Sequence, residues 1–252
     1  MKVFGYWYDN ELPVFIKNSI KETKKNNPYL EYDIYDNKKS IQFLKNNFDM
    51  EVLNAYETLI PKSFKSDLLR FCLLYIYGGL YIDLKLIINS VSKSLFFNDY
   101  LLAFGKKKKN YNYKPIETSF LYFKKAGNPN LLKCIKEIVK NVKARDKTGH
   151  ALLLTGPLLL GKHFQDIVPN MKFTGRRTPT RKFIYKYNKV CLVNNSLEDY
   201  YNMESHQSYW TMFKSGKVFY DEVPQEYKIK LFAYWYDNEI SNFLKNSMYQ
   251  TK

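Results

Sequence analysis

Ser66, Asp67, Arg70, Asp83 and Lys85 are the residues of this chain whose types and spacing point most directly to chemistry. Asp67 and Arg70 stand three apart in a stretch of helical pattern, so they share one face. A carboxylate beside a guanidinium offers several directed hydrogen bonds, which suits it to grip a ribose or a sugar by its hydroxyls. Gly78-Gly79 ends that helix as a left-handed cap, and Leu80 to Ile88 is an aliphatic and aromatic run that reads as a buried strand. Asp83 then falls at or near the carboxyl end of a strand, where open α/β sheets bind ligands. Singly, these features describe a surface ion pair and an ordinary helix–strand turn. Their joint spacing sets them apart.

The elements that must position these residues show in the hydrophobic pattern. Lys2 to Tyr6 is a short strand, and Leu12 to Lys25 carries apolar residues at helical spacing before Asn26-Asn27-Pro28 stops it. Tyr29 to Tyr35 alternates as a strand and ends at Asp36-Asn37. Ile41 to Phe48 and Val52 to Leu59 read as short helices, and Phe64 to Tyr77 as a strong one. Tyr100 to Phe104 and Thr118 to Phe123 are further strands, and Pro129 opens a helix to about Lys143. Gly149 to Gly161 is apolar but interrupted at Thr155-Gly156-Pro157, and Val190 to Val193 and Lys217 to Tyr220 are late strands. Alternating strands and helices predict an α/β fold with a mostly parallel central sheet flanked by helices, Rossmann-like in plan.

Composition narrows the class. The chain has 252 residues, enough for one α/β domain with a sizeable core. Lys and Arg number 40 against 24 Asp and Glu, a net charge of +16 that attracts polyanions of several kinds. The charge is diffuse, and its densest run, Lys106 to Lys109, follows Gly105 as a solvated loop. The wealth of Lys, Asn, Tyr and Phe also suits an AT-rich coding sequence, viral or microbial. No nucleic-acid-reading motif accompanies the charge, so nucleic acid is not expected as a partner. No apolar run of 18 residues appears, so no transmembrane segment is expected, and no secretory leader pattern opens the sequence. Three scattered cysteines fit neither a disulfide framework nor a zinc site, and a cytoplasmic, reducing location is the expectation. His163, in Gly161-Lys162-His163-Phe164, reads as structural.

An internal repeat divides the chain. Tyr6-Trp7-Tyr8-Asp9-Asn10-Glu11 recurs as Tyr234-Trp235-Tyr236-Asp237-Asn238-Glu239, 228 positions on (234 minus 6), and Phe15–Ser19 recurs as Phe243–Ser247. This predicts one module over residues 1–230 and a partial copy of residues 4–20 over 231–252. The copy is too short to build its own core, and would be a tail, an added element, or a segment swapped in a dimer.

At Ser66-Asp67-x-x-Arg70, Tyr75, Gly78-Gly79, Tyr81 and Asp83-x-Lys85 the chain resembles glycosyltransferase family 32, the DxD-motif sugar-binding family. The resemblance covers most of residues 1–215. Asn27-Pro28, the strand ending at Asp36, Gly127-Asn128-Pro129, Thr155-Gly156-Pro157 and Ser208-Tyr209-Trp210 match further blocks of that family. The resemblance implies a GT-A fold, a UDP- or GDP-sugar donor, Mn²⁺ or Mg²⁺, transfer to a glycan or protein acceptor, and retention at the anomeric carbon. Carried over, Asp67 and Arg70 would hold donor sugar or ribose, and Asp83 would meet ribose and metal. Tyr6, Trp7, Asp36 and Tyr81 would line the donor site, with Trp7 stacking on the base. Ser208 and Trp210 would donate to the leaving phosphate. His206 resembles a late histidine that completes metal or phosphate sites, though a lone histidine is more often structural.

Lys85 departs from that pattern, standing where the family has a metal-ligating aspartate. An ammonium cannot ligate a cation, and at about 4 Å and an effective dielectric near 20 it would repel a divalent ion by roughly 8 kcal/mol. Three alternatives follow. Lys85 itself meets the diphosphate, the chain binds without turnover, or Lys85 swings aside and Asp83 holds a weak metal alone.

Overall fold

The computed structural model describes residues 1–59, 62–88, 93–104, 110–146 and 151–166, together with three short strands at 175–177, 183–185 and 192–193. A five-stranded sheet forms the centre, in the order β2 (Glu31–Tyr35), β1 (Lys2–Tyr6), β3 (Gly79–Ile82), β6 (Ile116–Phe123), β5 (Tyr100–Phe104). β1 pairs in parallel with β2 and β3, whereas β6 runs antiparallel to both β3 and β5. Four of the five strands thus point one way, the mostly parallel α/β arrangement expected. The short β4 (Ile87–Ile88) pairs with β9 (Leu192–Val193), and β7 (Gly175–Arg177) with β8 (Phe183–Tyr185).

Strand alternation divides the sheet's side chains between two cores. On one face Phe4, Tyr6, Tyr81, Leu121 and Phe123 meet α2 (Asn37–Asn47), α3 (Met50–Thr58), α4 (Lys62–Tyr77), α5 (Pro129–Lys143) and α7 (Pro157–Phe164). On the other, Val3, Leu80, Ile82, Phe120 and Tyr122 pack with Leu86 and Ile88. The 16-residue α4 is the central helix, buried without a break from Phe64 to Leu74. A helix buried on every side carries apolar residues all round rather than in one stripe. Residues 151–164 form α6 (Ala151–Leu154) and α7, split where Gly156 caps α7 and Pro157 takes its first turn.

The run Leu80 to Ile88 is not one strand. β3 stops at Ile82, and the Leu86 N–H bonds to the Asp83 carbonyl at 2.9 Å to make a turn before β4. The apolar run is continuous because both pieces are buried, and burial does not distinguish a straight strand from a bent one. Gly78 and Gly79 have φ of 63° and 89°, so the exit from α4 needs the left-handed region at two successive positions.

Candidate functional site

A cleft opens at the carboxyl edge of the sheet, where β1 and β3 end beside the first half of α4. It is lined by Tyr6 to Asp9, by Lys62, Ser63, Ser66 and Arg70, and by Asp83 to Lys85. Local structure fixes each wall. Beyond β1, the Trp7 N–H donates to the Tyr35 carbonyl (2.9 Å) and the Asn37 N–H to the Tyr8 carbonyl (3.1 Å), carrying the β1–β2 association past its last ladder pair. Beyond β3, the Asp83 N–H donates to the Ser119 carbonyl (2.8 Å), which holds Asp83 to β6. Leu84 then folds back over Gly5, and a Cβ on Gly5 would lie 2.2 Å from Leu84 Cδ2. Gly5 therefore makes room for the turn that presents Asp83 and Lys85.

Arg70 joins the two acidic positions. Its Nη2 lies 3.4 Å from Asp67 Oδ1 and 3.4 Å from Asp83 Oδ1, and its plane sits over the Tyr81 ring, 4.6 Å from the centroid. Nε donates to the Ser66 carbonyl (3.1 Å), Nη2 to Ser66 Oγ (2.6 Å), and Nη1 to the Thr118 carbonyl. Ser66 Oγ also lies 2.9 Å from the Tyr81 hydroxyl. The guanidinium is only 4% exposed, so a cation held this far from water is stabilised by two carboxylates and several acceptors in fixed geometry.

Asp67 takes the inner position of this network. Thr118 Oγ1 donates to its Oδ1 (3.2 Å) and Thr155 Oγ1 to its Oδ2 (3.0 Å). Burial pushes its carboxyl up to about 6, against the opposing pull of Arg70 and Thr155. Asp67 and Tyr81 thus stand behind the cleft wall rather than on it, both beneath Arg70. Sequence spacing reached Asp67 and Arg70 but missed their partners Thr118 and Thr155, which come from 51 and 88 residues away.

Tyr6 borders the cleft with a buried hydroxyl 3.2 Å from that of Tyr56, which in turn donates to Asn37 Oδ1 at 3.1 Å. Burial raises the phenols of both residues. Trp7 is among the residues that line the cleft. Asp36 lies elsewhere: it is the N-cap of α2, its Oδ1 accepting the Lys39 N–H at 2.7 Å. His206, Ser208 and Trp210 lie outside the described residues, as do Lys106 to Lys109, Lys217 to Tyr220 and the repeat at 231–252. His163 lies 2.6 Å from Glu137 Oε2 in a hydrogen-bonded group, with Lys162 2.7 Å from Oε1. The His163 and Lys162 bonds hold the Glu137 carboxyl down to about 2.

Lys85 Nζ stands 3.7 Å from Asp83 Oδ2. Lys62 Nζ stands 3.3 Å from Asp9 and 4.7 Å from the centroid of the Tyr8 ring. Among the described residues the cleft wall thus carries three cations, Lys62, Arg70 and Lys85, against two carboxylates, Asp9 and Asp83. Lys62, Ser66 and Arg70 are four residues apart in turn, one row of a helix. Extending the Ser66–Arg70 spacing one turn back would have found Lys62. Among the described residues no group of three or more His, Cys, Asp or Glu could hold a metal ion. The donor set at Asp83, with an ammonium beside it, does not fit a divalent cation. What the wall suits is a flexible, multiply charged anion attached to groups rich in hydroxyls.

The fold is that of an α/β protein with a cleft at the sheet's carboxyl edge. Residues 1–154 match the family of the capsular polysaccharide synthesis protein, and the chain belongs to that family. Over 55 residues it is 36% identical to the "Uncharacterized glycosyltransferase L373" of Acanthamoeba polyphaga mimivirus, a match spanning 22% of each chain. It is also similar to the solved structure of the "PaToxG Glycosyltransferase", at 18% identity and a TM-score of 0.47, covering 67% of this chain and 70% of that one. Among the described residues no helix is long and apolar enough to cross a membrane.

Proposed function

We propose that the cleft is the donor site of a glycosyltransferase that moves a sugar from a nucleotide diphosphate to a glycan or protein acceptor, with Lys85 in the place of a metal. The observation that carries this reading is the Lys85 ammonium beside Asp83 in a wall of three cations and two carboxylates. A diphosphate entering there meets Lys85 and Lys62 as point charges that follow it on flexible stems, and Arg70 as a fixed one. Asp83 accepts from ribose hydroxyls, and Trp7 offers its ring to the base. Stabilising the charge on the departing phosphate is the largest service such a site can give. Family membership and the mimiviral relative's name support sugar transfer in general. A UDP- or GDP-sugar donor, family 32 membership and retention at the anomeric carbon extend the proposal from the resemblance of Ser66–Lys85. Among the described residues the cleft's two carboxylates are each held in ion pairs, Asp9 with Lys62 and Asp83 with Arg70 and Lys85, which accords with retention.

The burial of Asp67 and Arg70 inside their own network favours one second reading, a domain that binds a nucleotide sugar without turning it over. Donor hydrolysis separates the two. With UDP-glucose, UDP-GlcNAc and GDP-mannose, release of nucleotide is expected to persist in EDTA and to fall about a hundredfold in Lys85→Ala, as loss of one transition-state charge contact does elsewhere. Nucleotide binding without release from any donor would leave only the silent reading. Turnover abolished by EDTA and restored by Mn²⁺ would overturn Lys85's assignment.

A further inference from the structure

A second groove lies on the opposite part of the same helical layer. It is lined by Tyr35 and Asp36 at the end of β2, by residues of α2 from Lys38 to Asn47, and by Tyr77 at the end of α4. It shares no lining residue with the cleft. Ser66 and Tyr77 are eleven positions apart on α4, about 16 Å along the helix axis.

The floor of this groove is an aromatic ring that the fold leaves in view. Tyr77 is 49% exposed, yet its position is set from below, since it stacks on Phe4 (5.6 Å, 25°) and leans on Phe43 (5.7 Å, 39°). Both supports are buried, and the chain leaves Tyr77 directly into the Gly78-Gly79 turn. A ring held this firmly loses little freedom when something lies on it. Lys2 Nζ lies over the ring, 5.7 Å from its centroid, a cation that a ligand on the ring would meet.

The wall supplies amides. Lys38, Gln42 and Asn46 form one row of α2 at four-residue spacing, and Lys39, Phe43 and Asn47 the next. The rows run about 12 Å along the helix. Gln42 and Asn46 are bonded to each other at 2.9 Å, so their amides stand oriented at the surface. Each amide both donates and accepts, the complement of a hydroxyl that does the same. Lys38 and Lys39 outnumber Asp36 among the lining residues, a balance that tolerates a carboxylate on the ligand.

From this geometry we infer that the groove binds a glycan chain, with one pyranose ring on Tyr77 and its hydroxyls on the Gln42–Asn46 row. A peptide would call for apolar side-chain pockets, and the exposed apolar surface here is a single flat ring. This site is independent of the proposed transfer chemistry, and its occupancy needs no active cleft.

Titration of the full chain with cellohexaose, chitohexaose and hexagalacturonate, followed by amide NMR shifts and by calorimetry, tests the inference. At least one of these is expected to bind, to shift α2 and Tyr77, and to remain bound in excess UDP or GDP. Tyr77→Phe keeps the platform and is expected to keep binding. Tyr77→Ala is expected to weaken it about tenfold, the upper end of what one aromatic contact contributes. Because Tyr77→Ala also removes support from Phe4, the exposed double variant Gln42→Ala/Asn46→Ala provides a second arm and is expected to weaken binding without loss of fold. Absence of binding by all three glycans, displacement by UDP or GDP, or wild-type affinity in both Tyr77→Ala and the double variant would each overturn it. Nucleotide binding measured on the same samples reports the cleft separately.

Discussion

Asp67 shows how a residue can be central to a site without facing the ligand. The residue is 8% exposed, its carboxyl held between Thr118, Thr155 and Arg70 and raised to about 6. An acid whose folded value lies above its unfolded one binds its proton more tightly in the native state, so its contribution to stability is present below about 4 and lost as pH rises through about 6. The span corresponds to a change of about 3 kcal/mol. Asn in its place keeps the shape and cannot ionise. Urea unfolding at pH 4, 5, 6 and 7 should show Asp67→Asn gaining on the wild type as pH rises. A gap that stays constant across that range would refute the assignment. Lys85 is the opposite kind of residue, partly exposed and on the cleft wall, and its substitution should leave stability nearly untouched while lowering turnover.

At the scale of elements, the site depends on two close approaches of backbone. One is the Gly78-Gly79 exit from α4, which sets the direction in which β3 delivers Asp83. The other is Gly5 beneath Leu84, where an added methyl would meet Cδ2 at 2.2 Å. Gly5→Ala should cost about 1–3 kcal/mol as overpacking does, and should also move the Asp83–Lys85 turn. Calorimetric nucleotide affinity alongside thermal unfolding will separate these effects. Retained affinity at lowered stability would mean that the turn does not rely on Leu84. A buried lysine ties the same layer together: Lys65 Nζ donates to the carbonyls of Tyr56 (2.6 Å) and Glu57 (3.0 Å) near the end of α3, where a cation opposes the helix dipole. Lys65 precedes Ser66, so this anchor also steadies the start of the cleft's helical wall.

Across the whole molecule, the partial repeat is constrained by that same glycine. The copy reads Leu231-Phe232-Ala233-Tyr234-Trp235, with Ala233 at the position of Gly5. A copy exchanged for β1 would therefore place a methyl against Leu84, so exchange at β1 is disfavoured unless Leu84 moves. Deletion of residues 231–252 should leave nucleotide affinity within about twofold, a difference of under 0.5 kcal/mol, with the sedimentation coefficient changed only by the lost mass. A tenfold loss of affinity, or conversion of a dimer to a monomer, would show that the copy completes the cleft or joins two chains.

The sequence alone determined the α/β class, the helix over Phe64 to Tyr77, the glycine exit and the grouping of Asp67, Arg70 and Asp83, because these rest on periodicity and on residues close together in the chain. It also exposed Lys85, since a single position within a dense motif is legible without coordinates. Only the tertiary structure decided that Leu80 to Ile88 bends at Asp83, that Asp36 caps α2 rather than lining the cleft, and that Asp67 turns inward to Thr118 and Thr155. It alone brought Lys62 and Asp9 to the cleft wall and set Tyr77 over Phe4 and Phe43. Those outcomes depend on which faces meet across β1, β3 and β6, and side chains 51 or 88 residues apart carry no local signal of the contact they make.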